Sequence, residues 1–119
     1  MRFLAALAVI IVALLHFGFL ALEMFFWDHP VGQKVFSMTP QQSAETAALA
    51  ANQGLYNGFL AIGLLWGVIA RKTDVVIFFL LCVLAAGIFG AVTAKPTILF
   101  IQAAPAVLAL LLTAVAGRR

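Results

Sequence analysis

Apolar residues run along this chain in long blocks broken by short polar interruptions, without the strict alternation of a half-buried strand. The blocks predict four helices, at about 3–27, 40–70, 74–93 and 97–116, with a loop at 28–39 between the first two. Each block suffices for the roughly 20 residues that a helix needs to cross the hydrocarbon core. Helices are the open-chain solution there, because backbone groups find no water in lipid. The interruptions have local causes. Asp28-His29-Pro30-Val31-Gly32 stops the first helix with Pro and Gly. Thr39 is the predicted cap of the second helix, with Pro40 at its first position and Gln42 completing a capping box. Gln41, Gln42, Ser43 and Glu45 make its first turns polar, which places them at headgroup level. Arg71-Lys72-Thr73-Asp74 reads as a tight hairpin with Thr73 capping the third helix. Ala94-Lys95-Pro96 separates the third helix from the fourth.

Composition turns long helices into membrane helices. Hydrophobic residues form 66% of the 119 and charged residues 9%. A soluble domain has about 25% charged residues and could not cover so apolar a surface. The fold class is therefore all-α, an integral membrane bundle of four transmembrane helices forming one domain over residues 1–119. The net charge of +3 is no nucleic-acid stripe, because the cations sit at the ends of apolar runs. Arg2, Arg71, Lys72, Arg118 and Arg119 fall on one side of the predicted bilayer, Lys34 and Lys95 on the other. The positive-inside rule then places both termini in the cytoplasm and loop 28–39 outside, with a bacterial inner membrane as the expected location. The first block is too long for a signal-peptide core of about 7–15 residues, and it ends in an aromatic interface anchor, Phe25-Phe26-Trp27. The lone Cys82 lies in an apolar run and reads as a small hydrophobe.

Small residues four apart, Ala50, Gly54 and Gly58 in the second helix and Ala86 and Gly90 in the third, predict close helix–helix approach within the chain or in a homodimer. Polar residues inside the spans carry the candidate chemistry. His16 and Glu23 are seven apart, about 20° out of register on one face of the first helix, and Trp27 extends that stripe. Asn52, Gln53, Tyr56 and Asn57 cover an arc of about 140° on the second helix. Gln102 lies in the fourth, where Pro105 cannot donate to the Ile101 carbonyl beside it. At about 1.5 Å per residue, His16 lies about 20 Å and Glu23 about 30 Å from the inner boundary, and Asn52, Gln53, Tyr56, Asn57 and Gln102 fall at similar depth. The outer half of the bilayer thus collects nearly every polar side chain, which predicts a polar pocket there.

Each of these residues has a plainer reading. Asn57 and Gln102 suit interhelical glue, Glu23 can snorkel, His16 can bond a single partner as a neutral ring, and Tyr56 can simply pack. Three functions compete. An enzyme or binding protein for a small lipophilic molecule would use His16, Glu23 and Tyr56 for acid–base catalysis, with Asn52, Gln53, Asn57, Gln102 and Trp27 binding the substrate. A proton-coupled exporter would use Glu23 in a homodimer, although its depth is shallow for a midplane site. A structural or assembly partner would need only the small-residue ridges and polar glue. Membrane lipid is the expected surrounding; no nucleic-acid partner, metal site or cofactor is implied, His16 with Glu23 being the nearest approach to metal ligands.

The string Asn52-Gln53-Gly54-Leu55-Tyr56-Asn57-Gly58, preceded by Leu22-Glu23-Met24-Phe25-Phe26-Trp27, Pro30, Gly32, Val35-Phe36 and Thr39-Pro40, resembles a family of small bacterial and fungal membrane proteins, domain of unknown function 1304. Ala85-Ala86-Gly87-Ile88-Phe89-Gly90 and Phe100-Ile101-Gln102-Ala103-Ala104-Pro105 extend the resemblance over essentially the whole chain. The resemblance implies four helices and a single domain, and carries no activity.

Overall fold

The computed structural model describes residues 2–94, 97 and 99–117. Lys95 and Pro96 of the expected third loop, and Arg118 and Arg119 of the expected cytoplasmic cations, lie outside the described residues. Every regular element among those described is helical: α1 (Arg2–Met24), α2 (Pro30–Val35), α3 (Pro40–Ile69), α4 (Thr73–Thr93), a π-helical turn (Leu99–Ala103) and α5 (Ala104–Ala116). Arg2–Met24, Thr73–Thr93 and Leu99–Ala116 are long and apolar enough to cross a membrane, with mean hydropathies of 2.7, 2.9 and 2.2. Only 28%, 22% and 28% of these spans is buried by protein, which leaves most of their apolar surface to lipid. The protein is an all-α, membrane-spanning helical bundle. At 30 residues α3 is longer, but Asn52, Gln53, Asn57 and its polar first turns dilute its apolar character, and it does not join the three.

The chain forms two compact units, residues 15–59 and residues 1–14 with 60–119. In the second of these, Val9, Val12 and Ala13 of α1, Leu64 of α3, Leu80 and Val83 of α4, and Ala106 and Ala109 of α5 are buried. Lipid is as apolar as these side chains, so association rests on close packing rather than on escape from water. A close approach of α4 to backbone beyond it is at Gly87, not at the Ala86–Gly90 pair expected from spacing. A Cβ on Gly87 would lie 2.9 Å from the Ala103 backbone nitrogen, whereas Ala86 is exposed.

Residues 15–59 hold the end of α1, α2 and the first half of α3. Here the expected small-residue ridge is the contact: Ala50, Gly54 and Gly58 are all buried, and a Cβ on Gly54 would lie 3.2 Å from the Leu20 carbonyl oxygen. The start of α3 is a capping box, in which Gln42 N–H donates to Thr39 Oγ1 (3.1 Å) and Thr39 N–H to Gln42 Oε1 (2.9 Å).

Several element boundaries differ from those expected. α1 stops at Met24 rather than Trp27, since Phe25 and Phe26 N–H both converge on the Ala21 carbonyl (3.0 and 3.2 Å) and the chain turns away. Residues 28–39 are not a plain loop. Pro30 opens α2, His29 caps it by accepting from Val31 N–H (3.1 Å), and Gly32 is buried against the Phe26 and Trp27 carbonyls. Lys72, not Thr73, is the cap position of α4, and it supplies no side-chain bond. The last span is not one α-helix. A π turn precedes α5, and Pro105 falls at the first positions of α5, where its missing N–H costs least.

Candidate functional site

Glu23 stands in the last turn of α1, one residue before the helix ends. Asn57 lies on α3, one turn beyond Gly54 and beside Gly58. The two glycines let the α3 backbone approach α1 so closely that a Cβ on Gly54 would be 3.1 Å from the Glu23 Cβ. At that separation a short amide side chain reaches the carboxyl, and Asn57 Nδ2 donates to Glu23 Oε1. Asn57 is buried and Glu23 half-buried, so in apolar surroundings each satisfies a group the other would leave costly. The bond uses one carboxyl oxygen and one amide hydrogen; the inventories of both residues extend further, to a second oxygen, a second N–H and an amide carbonyl. Such a pair can hold a ligand's hydroxyl or carbonyl, or pass a proton to it.

His16 lies two turns before Glu23 on the same helix. It is buried, its ring stands edge-on to Phe19 at 5.0 Å, and it is not without a partner. Trp27 is half-buried and engaged: Nε1 donates to Thr46 Oγ1 (2.9 Å) and the ring leans on Phe36 (4.7 Å). Those contacts hold the chain between α1 and α2 against α3.

The other expected site residues on α3 do not share the buried face. Asn52 and Gln53 are exposed, and Tyr56 is half exposed with its ring tilted against Phe59 at 6.0 Å. The face that carries Ala50, Gly54 and Asn57 turns them outward by the helical period itself. Gln102 is half-buried in the π turn and, like His16, is not without a partner; it belongs to the unit formed by residues 1–14 and 60–119. Among the described residues no three of His, Cys, Asp and Glu gather as metal ligands.

A second polar layer escaped the sequence reading. Ser43 is fully buried, donates to Asp28 Oδ1 (2.7 Å) and accepts from Gln33 Nε2 (3.1 Å). Its signal was periodic: Ser43 precedes Ala50 by seven and Gly54 by eleven, about 20° from each, which places it on the small-residue face rather than among exposed polar turns.

The family model described as "Protein of unknown function (DUF1304)" matches residues 10–114. The chain is 27% identical over 115 residues to "Uncharacterized protein YpaA" of Lactococcus lactis subsp. lactis (strain IL1403), covering 93% of this chain and 97% of that protein. No solved structure matches the chain.

Proposed function

The chain belongs to the DUF1304 family, whose description assigns no activity, and we propose from its own residues that it binds a small lipophilic molecule through Glu23 and Asn57. In this reading the chain crosses a bacterial inner membrane four times, α3 included, with both termini cytoplasmic and the pair in the outer half of the bilayer. The supporting observation is the Asn57–Glu23 hydrogen bond, held where the glycine face of α3 packs on Leu20 and Met24 of α1. An ionisable group kept inside a span at such a cost is a functional candidate by default. Glu23 would hold the ligand's polar end or exchange a proton with it, His16 would support proton transfer, and Asn57 would orient the carboxyl.

The test is ligand retention. The full chain, purified in mild detergent, is extracted and its small lipophilic compounds are compared with those of Glu23→Gln by mass spectrometry. The wild type should retain a compound that Glu23→Gln loses. Identical extracts from both would overturn the reading.

One observation favours a second reading, a proton-coupled exporter acting as a homodimer. Asn52, Gln53 and Tyr56 lie exposed on a helix that this topology sends through lipid, where a second copy would give them partners.

A further inference from the structure

A cavity of about 580 Å³ lies within the unit formed by residues 1–14 and 60–119. The start of α1, the turn from α3 to α4 and the end of α5 line it, and it is open on one side. Arg2, Arg71 and Lys72 line it together with apolar side chains such as Phe3 and Val9. Among the described residues no acidic side chain pairs with these three cations. The nearest carboxylate in sequence, Asp74, is exposed and accepts from Val75 N–H (2.9 Å) instead.

Orientation in the membrane accounts for cations at this end of the helices but not for what else lines the cavity. Thr113 of α5 lines it, is buried, and its Oγ1 has no hydrogen-bond partner. Threonines in membrane helices ordinarily return the hydroxyl to the carbonyl one turn back. Thr46 and Thr93 do so, to Gln42 and Phe89, each at 2.7 Å. Thr113 forgoes that bond, although leaving a buried hydroxyl unsatisfied is costly. The positive end of α4 adds to the same field, because its cap Lys72 supplies no side-chain acceptor to the first turn. Three like charges, a helix N-terminus and a hydroxyl without an acceptor converge on this cavity, an arrangement complementary to an anion.

We propose that this cavity binds a phosphate group, the chemistry shared by anionic phospholipid headgroups and soluble phosphates, with Arg2, Arg71 and Lys72 neutralising it and the Thr113 hydroxyl donating to one of its oxygens. Arg71 offers a fork for two phosphate oxygens, and Lys72 a point charge beside it. The apolar part of the lining suits the glycerol end of a lipid entering sideways between helices. The site is independent of Glu23 and Asn57.

The test uses the full chain in a neutral detergent, with the shift in melting temperature as the readout. It is titrated separately with short-chain phosphatidylglycerol, with phosphatidylcholine, and with inorganic phosphate against chloride at equal ionic strength. Phosphatidylglycerol should stabilise the protein at lower concentration than phosphatidylcholine, and Arg71→Gln should weaken that binding about fivefold. Thr113→Val, which keeps the shape and removes the donor, should weaken it about two- to fivefold, and Thr113→Ser should restore it. Stabilisation by phosphatidylglycerol alone assigns a lipid headgroup; stabilisation by inorganic phosphate as well assigns a soluble phosphate. If neither stabilises beyond its control, or if Thr113→Val binds like the wild type, the proposal is overturned. Should Arg71→Gln fail to fold, the Val and Ser variants at Thr113 carry the test.

Discussion

Replacing Asn57 by Leu keeps the bulk of a buried side chain and removes the amide that donates to Glu23. The carboxyl is then left without that partner in apolar packing. Interhelical hydrogen bonds in membranes contribute about 0.6–2 kcal/mol, and an abandoned buried acceptor costs toward the upper end. Asn57→Leu should therefore lower stability by about 1–2 kcal/mol, read as an earlier unfolding midpoint in detergent. Glu23→Gln should lower it less, since an amide carbonyl still accepts from Asn57, while ligand retention is lost. A larger stability loss for Glu23→Gln than for Asn57→Leu would contradict the roles given to the two side chains. His16 and Trp27 show how far a residue-level reading reaches. Both were recognisable as polar groups in an apolar span, but the Phe19 and Thr46 contacts that hold them depend on three-dimensional packing.

At the scale of elements, both non-glycine residues with positive φ among those described sit just past a helix end: Ser37 (φ 54°) after α2 and Arg71 (φ 56°) after α3. Each closes its helix with paired turn bonds. Met38 N–H donates to the Gln33 carbonyl and Ser37 N–H to that of Lys34; Lys72 N–H donates to that of Gly67 and Arg71 N–H to that of Val68. Glycine adopts this left-handed position without the penalty a Cβ brings. Ser37→Gly should therefore raise the unfolding midpoint, by a gain of about 0.5–1 kcal/mol, and lower stability there would contradict the assigned cap. Local signals of this kind were partly legible. The capping box at Thr39 and the glycine face of α3 follow from spacing alone. α2 does not, because Pro30 and Gly32 read equally well as the end of one helix and the start of another. Nor does the π turn, for a proline signals that a register must yield without saying which residue yields.

Across the whole molecule, hydropathy made the membrane class plain, while the exposure of Asn52, Gln53 and Tyr56 depended on which face of α3 meets α1, which periodicity leaves open. The proposed four-span topology has a direct check. In a Cys82→Ala background, a cysteine at Ser37 should react with an impermeant thiol reagent on intact cells and one at Thr73 only after lysis. The reverse pattern, or labelling of both, would refute that topology. A cysteine at Gln53 in the same background should form a dimer cross-link under the homodimer reading and none if that face meets lipid. The π turn at Leu99–Ala103 bears on chain length. It accommodates one residue more than a regular α-helix of the same rise, so α5 can keep its face toward α4 while the segment before it gains or loses a position. Kindred chains one residue shorter there should carry a straight helix without a proline at the place of Pro105, making this stretch a natural point of insertion and deletion.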